Sequence, residues 1–379
     1  MKIVFLSNFF NHHQSALSDA LWKKTGGEYL FVETSPMPEE RRKLGYQTVE
    51  REYVFRFQGN EAWIIQKLRE ADVVIAGSAP EWLIRKRIQS GKLLFRYAER
   101  PLRKGLEPAK LIPRLLRWHW RNPWGKPIYL LCASAYTAGD YAKFGLFRGR
   151  AFRWGYFPER KRYDLQELLS SKDPTEILWC GRFLELKHPE DVLAAARKLK
   201  DEGYMFCVNW IGTGELEGKL RQMVKDLGLE EHTRFLGAQN PKNVRRSMEQ
   251  AGIYLFTSDR REGWGAVLNE AMNSGCAVIA SHAIGAVPYL IKDGENGIVY
   301  PSGNVELLYE KMKYLLEHPE EQKRLGAAAY RTIQDTWNAE IAADRLIQLS
   351  ESLLAGEKTP RLFQDGPCSR AEARNDTIS

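Results

Sequence analysis

The sequence predicts an α/β protein built from two doubly wound domains, and two observations support this. Short apolar runs typical of buried strands alternate with amphipathic stretches typical of helices, and the alternation occurs once in each half of the chain. This alternation is the pattern of βαβ units on a parallel sheet. The chain has 379 residues, whereas single hydrophobic cores usually stop growing at about 250 to 300 residues. Two domains are therefore expected.

The strand candidates follow in order along each half of the chain. The first half contains MKIVFLSN, EYLFVE, DVVIAG, KLLFRY and PIYLLCAS. The second half contains EILWCGR, YMFCVNWIG, TRFLG, GIYLFTS and AVIAS, and the helical patterns between them end near glycine, as helix C-termini favour.

The pattern weakens around residues 154–172, which predicts a connection between the halves. We therefore predict a first domain over residues 1–157 and a second over residues 158–338. Residues 339–355 have a helical pattern and are expected to return to the first domain. The polar stretch 356–379 is expected to be a disordered tail.

The sequence argues against a membrane-spanning protein and against an exported one. No apolar run approaches the roughly 20 residues that a membrane-spanning helix needs, and the N-terminus lacks the pattern of a signal peptide. The five cysteines are scattered, with no pair at metal-ligand spacing, which predicts reduced thiols in the cytoplasm. A cytoplasmic protein is expected.

The turn FFNHHQ after the first strand has no glycine. A turn that binds a phosphate is normally rich in glycine, because only glycine lets backbone amides approach closely. Asn11, His12 and His13 therefore suit a different ligand. The alternative is that Asn11 caps the following helix and one histidine packs against the domain.

The segment EGWGAVLNE carries two carboxylates, Glu262 in a predicted loop and Glu270 in the early turns of a predicted helix. Eight residues on a helix rotate about 80° past two full turns, so both carboxylates can approach one cleft at different depths. Gly263 and Gly265 leave backbone amides uncovered before the helix, a geometry that suits an anion. The alternative is that Glu262 is solvated and Glu270 supports the helix.

These motifs resemble the retaining glycosyltransferases of family four, which have the GT-B architecture of two facing Rossmann-like domains with a cleft between them. The Glu-x7-Glu hallmark is present as EGWGAVLNE, the glycine-arginine pair with a later lysine as GRFLELK, and the strand ending in a glycine pair as WIGTGEL. DGENGIVYP matches the loop after the nucleotide site. The resemblance covers roughly residues 174–350.

The resemblance implies roles for residues of the second domain. Arg182 and Lys187 would grip the donor's diphosphate, Glu270 would bond the ribose hydroxyls, and Glu262 would contact the transferred sugar. The remaining donor-binding candidates are Gly212, Gly214, Gly263, Trp264 and Gly265. Fixed cations stabilise the charge that develops on a departing diphosphate. No Asp-x-Asp pair stands out, so neither a metal nor another cofactor is expected.

The first domain would line the acceptor side through Asn11, His12 and His13. Relatives often place a histidine near the transferred sugar, whereas this chain has Glu99 and Arg100 at the matching stretch. Glu99 is a candidate for aligning or deprotonating the acceptor hydroxyl. A second departure is AIGAVPYLI, where Ala286 and Tyr289 replace a glycine and a glutamate of the family pattern, so the donor sugar is not identified.

We therefore expect a retaining, metal-independent hexosyltransferase that moves a sugar from a nucleotide-sugar, with UDP preferred to GDP, to a hydroxyl. A glycan or lipid-linked acceptor in surface polysaccharide or lipopolysaccharide assembly is the implied setting. The alternatives are a non-catalytic protein of the same fold that binds a nucleotide-sugar or glycan, and a nucleotide-sugar epimerase.

The net charge of +8 is concentrated over residues 85–126, where Trp118, Trp120 and Trp124 lie among arginines and lysines. Such a segment suits peripheral contact with an anionic membrane. Cations and aromatic rings also suit nucleic acid, but no nucleic-acid motif accompanies them, so membrane is preferred and no nucleic-acid partner is expected. A solvated face with the tryptophans in the core is the third possibility.

Overall fold

The computed structural model describes residues 1–39 and 49–376, which divide into two compact units. Unit 1 comprises Met1–Glu159 and Trp337–Asn375, and unit 2 comprises Arg160–Thr336 and the terminal residues from Asp376. The sequence places these boundaries at 157/158 and 338/339, against 159/160 and 336/337 in the structure.

Unit 1 contains a seven-stranded parallel sheet in the order β3-β2-β1-β4-β5-β6-β7. The strands are β1 (Ile3–Ser7), β2 (Tyr29–Glu33), β3 (Val54–Arg56), β4 (Val73–Ala76), β5 (Leu94–Ala98), β6 (Ile128–Cys132) and β7 (Ala151–Arg153). The helices between them are α1 (His12–Lys24), α2 (Glu61–Glu70), α3 (Glu81–Ser90), α4 (Leu111–Arg121) and α5 (Thr137–Ala142). Every residue of β1, β4 and β6 is buried, as expected for parallel strands covered on both faces.

Unit 2 contains a six-stranded parallel sheet in the order β10-β9-β8-β11-β12-β13. The strands are β8 (Asp173–Cys180), β9 (Cys207–Ile211), β10 (Thr233–Phe235), β11 (Ala251–Phe256), β12 (Ala277–Ser281) and β13 (Ile298–Tyr300). The helices are α6 (Leu165–Ser170), α7 (Pro189–Asp201), α8 (Glu217–Asp226), α9 (Pro241–Gln250), α10 (Val267–Asn273), α11 (Val287–Leu290), α12 (Val305–Glu317) and α13 (Pro319–Asp335).

Both sheets reverse their strand order once, between β1 and β4 in unit 1 and between β8 and β11 in unit 2. In a doubly wound sheet, the loops after the two strands at this switch point diverge and leave a crevice at their carboxyl ends. The structure therefore has the predicted α/β architecture of two Rossmann-like units, the GT-B fold.

The last helix, α14 (Ala339–Leu354), belongs to unit 1 and packs against α1, with Lys24 Nζ 2.6 Å from an oxygen of Asp344. In place of the disordered tail predicted from composition, the following segment packs against the outer strand β7. Arg153 N donates to Ser369 O at 2.7 Å, Cys368 N donates to Arg153 O at 2.8 Å, and Cys368 is buried. Composition did not predict this order, because it arises from backbone hydrogen bonds. These bonds pair the segment with β7, which would otherwise be an open edge of the sheet.

Candidate active site

The candidate site of unit 2 forms where the sheet order reverses. Strands β8 and β11 pair in parallel, so the loop after Cys180 and the loop after Phe256 leave the same edge of the sheet side by side. The GRFLELK motif occupies the first loop and the EGWGAVLNE motif the second. Two motifs separated by about eighty residues in sequence therefore meet because the fold places their strands together.

Gly212 and Gly214 hold the loop that carries Arg182. Gly212 has a φ of +135°, and a Cβ at that position would lie 1.9 Å from the carbonyl oxygen of Gly181. A Cβ on Gly214 would lie 2.5 Å from the carbonyl oxygen of Phe183. Phe183 N donates to Thr213 O at 3.0 Å across the same contact. Because Gly212 and Gly214 have no side chains, the backbone of this loop can contact the backbone of Gly181 and Phe183. The contact fixes the path of the loop on which Arg182 is exposed.

Lys187 and Glu262 form an ion pair between the two loops. Their side chains are only 16% and 15% exposed. Thr257 Oγ1 donates to the backbone oxygen of Lys187 at 2.6 Å, which ties the turn Glu185–Lys187 to the end of β11. The Lys187 ammonium also lies 5.6 Å from the centre of the Phe256 ring. An anionic ligand at this crevice would compete with Glu262 for a cation that is already in place.

A second set of contacts, centred on Asp259, joins the same two loops. The Asp259 carboxylate accepts from His188 Nε2 at 3.2 Å and from the Arg261 guanidinium at 2.8 Å, and Arg261 also reaches Glu185 at 3.1 Å. Burial raises the pKa of Asp259, but the hydrogen bonds from His188 and Arg261 outweigh it and lower that pKa to about 2. The hydrogen bond to Asp259 in turn raises the pKa of His188.

This network of His188, Asp259 and Arg261 was not predicted from the sequence. Its signal was the position of Asp259, a carboxylate just after an apolar strand at the predicted nucleotide side. Because Asp259 bonds to both His188 and Arg261, and these residues lie beside Lys187 and Glu262 in sequence, the network positions the two loops.

Glu270 lies in α10, where Arg245 Nη2 of α9 approaches its Oε1 at 3.9 Å. Burial raises the pKa of Glu270, and the positive charge of Arg245 opposes that rise. Arg245 Nη1 also donates to Asn273 Oδ1 at 3.1 Å, so the guanidinium contacts two side chains about one turn apart on α10. Glu270 and Glu262 thus have different cationic partners.

Trp264 anchors the loop between the two glutamates. Its ring is 1% exposed, and its indole N–H donates to Asn269 Oδ1 at 2.9 Å. Gly265 has a φ of +83°, and a Cβ there would lie 2.4 Å from the Phe256 ring. Gly263 is buried beside them. The Trp264 side chain therefore packs inside unit 2, and its place among the donor-binding residues stays a prediction.

Ala286 and Tyr289, the two departures from the family pattern, are buried in unit 2. The Tyr289 ring lies 6.2 Å from the ring of Trp264. Tyr289 thus packs near the buried ring that anchors the loop between the two glutamates.

In unit 1, Asn11 caps helix α1. Its side-chain oxygen accepts from His13 N at 2.9 Å, while Gln14 Oε1 accepts from Asn11 N at 3.0 Å, which completes a capping box. The rings of His12 and His13 lie 4.0 Å apart, and burial lowers the pKa of His12. Phe10 is buried against Phe31, with ring centroids 4.8 Å apart. Phe9 is buried as well, so both phenylalanines of FFNHHQ belong to the core.

Glu99 follows β5 and is held from both sides. Its Oε1 accepts from the Tyr156 hydroxyl at 2.9 Å, and its Oε2 accepts from Arg103 at 3.0 Å. The neighbouring Arg100 is buried, with its Nε 3.2 Å from Asp140. Glu99 is thus the partly exposed member of this stretch and Arg100 the structural one.

Across residues 1–39 and 49–376, no group of three or more His, Cys, Asp or Glu side chains is arranged to hold a metal ion. Among the helices of the same described residues, none has the length and apolar character needed to cross a bilayer.

Residues 161–332 match the family described as glycosyl transferases group 1. The amylovoran biosynthesis glycosyltransferase AmsK of Erwinia amylovora is 29% identical over 206 residues, which cover 53% of this chain and 50% of that protein. The putative colanic acid biosynthesis glycosyltransferase WcaL of Escherichia coli is 23% identical over 230 residues, 59% of this chain and 56% of that protein. The chain thus spans about half the length of the curated relatives it matches.

Solved structures match along nearly the whole chain. HepE of Anabaena in complex with UDP has a TM-score of 0.68 at 16% identity, covering 93% of this chain and 100% of that chain. Sucrose-phosphate synthase of Thermosynechococcus elongatus has a TM-score of 0.66 at 16% identity, covering 94% and 100%. These similarities show the shared fold.

Proposed function

We propose that the chain is a glycosyltransferase that moves a sugar from a nucleotide-sugar to a hydroxyl with retention of configuration, as in family four. The observation that carries this proposal is the Lys187–Glu262 pair at the β8/β11 switch point. The pair lies in the segment that matches glycosyl transferases group 1. A cation and a carboxylate that hold each other in the free protein are groups that a diphosphate and a sugar can separate and engage.

The proposed chemistry follows from charge. Breaking the bond between the sugar and the diphosphate leaves negative charge on the phosphate, and Lys187 and Arg182 would stabilise that charge as it develops. Glu262, released from Lys187, would contact the transferred sugar, and Glu270 would accept from the ribose hydroxyls. The acceptor hydroxyl would attack from the face that the phosphate leaves and give its proton to that phosphate, so no enzymic nucleophile is required.

UDP is the proposed carrier, ahead of GDP. The Anabaena HepE structures hold UDP or UDP-glucose, and the TarM structure of Staphylococcus aureus, with a TM-score of 0.56, holds UDP. The proposed acceptor is a glycan or a lipid-linked saccharide. Relatives named for amylovoran, colanic acid and lipopolysaccharide core biosynthesis support a role in surface polysaccharide assembly.

We also propose that transfer needs no metal ion, because Lys187 and Arg182 supply the positive charge that a metal would bring to the diphosphate. Activity that survives exhaustive chelation is the expected result. Loss of activity on chelation, with recovery on adding Mg²⁺, would contradict this part of the proposal.

The proposal is tested by incubating the protein with UDP-sugars and candidate saccharide acceptors and measuring release of free UDP. A transferase releases UDP only when both substrates are present. A binding protein of the same fold releases none, and an epimerase converts the UDP-sugar without an acceptor. Lys198→Ala is a matched control for Lys187→Ala, because Lys198 pairs with Glu306 away from the two motifs.

Glu99 is the proposed acceptor-side group of unit 1, held by Tyr156 and Arg103. Glu99→Gln keeps the side-chain shape and removes the charge. A fall in turnover with an unchanged KM for the donor is expected. Full turnover in this variant would remove Glu99 from the mechanism.

A further inference from the structure

Helix α4 of unit 1 leaves an apolar stripe exposed. Ile112, Leu116 and Trp120 are 68%, 66% and 54% exposed, and residues at this four-residue spacing share one helix face. Trp124, just beyond the helix, is 77% exposed. We call these four residues the α4 stripe. Of the thirteen large hydrophobic residues that are exposed among residues 1–39 and 49–376, six lie between Leu106 and Trp124, and such clustering marks an interaction surface.

The opposite face of α4 is anchored in the core of unit 1. Trp118 is buried, with its ring centroid 4.7 Å from that of Phe144 and 4.9 Å from that of Tyr141. Leu115 packs on the same cluster. Of the three tryptophans, only Trp118 therefore serves the core. The stripe is therefore exposed on a helix whose other face is packed in the core.

Both exposed indoles are held in place by neighbours. The Arg85 guanidinium lies 4.0 Å from the Trp120 ring, and its Nη1 donates to Trp120 O at 3.0 Å. Trp124 Nε1 donates to His119 Nδ1 at 3.2 Å, with the two rings within 5° of parallel. Side chains that are ordered before binding lose less conformational entropy when a partner arrives.

The segment that carries the stripe has charges of one sign. The acidic neighbours outside it are paired, Glu81 with Arg121 at 3.4 Å and Glu107 with Lys110 at 2.6 Å. The sequence from Leu111 to Lys126 contains no aspartate or glutamate and four Arg or Lys residues. A cleft of about 240 Å³ beside Trp124 adds Arg148 and Arg150 to its lining. Aliphatic and indole side chains surrounded by cations complement a surface whose headgroups are anionic and whose interior is apolar.

We propose that the α4 stripe and its surrounding cations dock unit 1 onto a bilayer that contains anionic phospholipid. The cations alone would suit any polyphosphate, but Ile112 and Leu116 need an apolar partner, which the acyl region provides and nucleic acid does not. The proposal goes beyond the transfer reaction and does not depend on it, because the surface would recruit the protein to lipid whether or not a sugar is transferred.

The test is co-sedimentation with vesicles of phosphatidylcholine alone and of phosphatidylcholine mixed with phosphatidylglycerol. Binding to the anionic vesicles is expected, with a blue shift of tryptophan fluorescence as Trp120 and Trp124 leave water. Raising the salt from about 0.1 M to about 1 M shortens the screening length from about 10 Å to about 3 Å and should release the protein. Equal binding to neutral vesicles at high salt would overturn the proposal.

Two matched pairs of variants locate the surface. Ile112→Ser/Trp124→Ser is expected to weaken vesicle binding more than about tenfold, while Trp82→Ser/Met205→Ser, which removes other exposed apolar side chains, should bind normally. Arg117→Glu/Arg148→Glu reverses two exposed charges, one on α4 and one in the cleft beside Trp124, and is expected to weaken binding by more than about thirtyfold. Lys242→Glu/Arg246→Glu makes the same change of charge at exposed positions of unit 2 and should bind normally.

Thermal unfolding of each variant confirms that it is folded before it is compared. The proposal would be overturned if vesicle binding survived both the stripe substitutions and the charge reversals around the stripe. Equal losses of binding in the two control variants would also overturn it. Stripe-dependent dimerisation without lipid would assign the surface to a second copy of the chain. Stripe-dependent binding of oligonucleotides without vesicle binding would assign it to nucleic acid.

Discussion

At the carboxyl end of β1 in unit 1, Asn11 uses its side chain to cap α1, whereas at the carboxyl end of β8 in unit 2, Lys187 reaches across the switch point to Glu262. The first contact is local and builds the fold. The second joins two loops that are distant in sequence, and a charged ligand can exchange with either member. Polar side chains that already bond to backbone groups, such as Asn11, stabilise the fold. Charged side chains that bond to each other across a crevice, such as Lys187 and Glu262, are the better candidates for binding a ligand.

Removing the Lys187 ammonium is expected to change activity more than any other substitution considered below. Lys187→Ala should lower kcat/KM for transfer by about 10² to 10³, the usual cost of removing one group that stabilises transition-state charge. Steady-state kinetics with a UDP-sugar measures this. Lys198→Ala should remain at the wild-type rate, and an equal loss in both variants would mean that Lys187 has no special role.

The next effect concerns the glycine contact that holds the Arg182 loop. Gly212→Ala places a Cβ against the Gly181 carbonyl and should lower the free energy of unfolding by about 3 kcal/mol or more. Urea denaturation measures the change. Gly218→Ala is the control, because a Cβ there meets nothing within 4 Å and the position lies in α8. Gly218→Ala should stabilise by about 0.5 to 1 kcal/mol.

In unit 1, Asn11→Ala should lower the free energy of unfolding by about 1 kcal/mol, because the N-cap hydrogen bond to His13 is lost. Asn11→Ser can restore a cap and should recover most of that loss. Urea denaturation measures the stability of the three proteins, and a UDP titration of each shows whether the substitution also affects nucleotide binding. A change in UDP affinity in Asn11→Ala with unchanged stability would contradict the structural role given to this residue.

The smallest effect is a dependence of stability on pH through His188. Its hydrogen bond to Asp259 raises the pKa of His188 above the ordinary 6.5. The stabilisation is therefore complete below pH 6.5 and is lost as pH rises through the raised value. We expect under about 1 kcal/mol for this partly exposed pair. Urea denaturation at a series of pH values should show the decline in the wild type. Asp259→Asn should flatten it, and an unchanged slope would contradict the assignment to this pair.

The two-domain α/β fold was predictable because parallel strands buried on both faces give apolar runs that periodicity detects. The family resemblance implied that Lys187 and Glu262 both contact the donor, but it did not predict that the two side chains pair with each other. The network of His188, Asp259 and Arg261 was not predictable, because it depends on how two loops pack. Composition also failed for the chain after Gly356, since pairing of Ser369 and Cys368 with an edge strand leaves no mark on polarity.

The sequence segment 85–126 shows a further limit. Charge and tryptophan content predicted a surface but did not separate Trp118, which is buried, from Trp120 and Trp124, which are exposed. Helical geometry makes that separation, because Trp120 shares the face of Ile112 and Leu116 while Trp118 faces the core.

A nucleotide site at the Lys187–Glu262 pair can be tested by calorimetric titration of UDP into wild type, Lys187→Ala and Glu262→Gln. If UDP displaces Glu262 from Lys187, Glu262→Gln should bind UDP more tightly than wild type and Lys187→Ala more weakly. At 100 times its dissociation constant UDP should also stabilise the wild type by about 2.7 kcal/mol. Equal affinities in all three proteins, with each of them folded, would contradict the claim that this ion pair forms the nucleotide site.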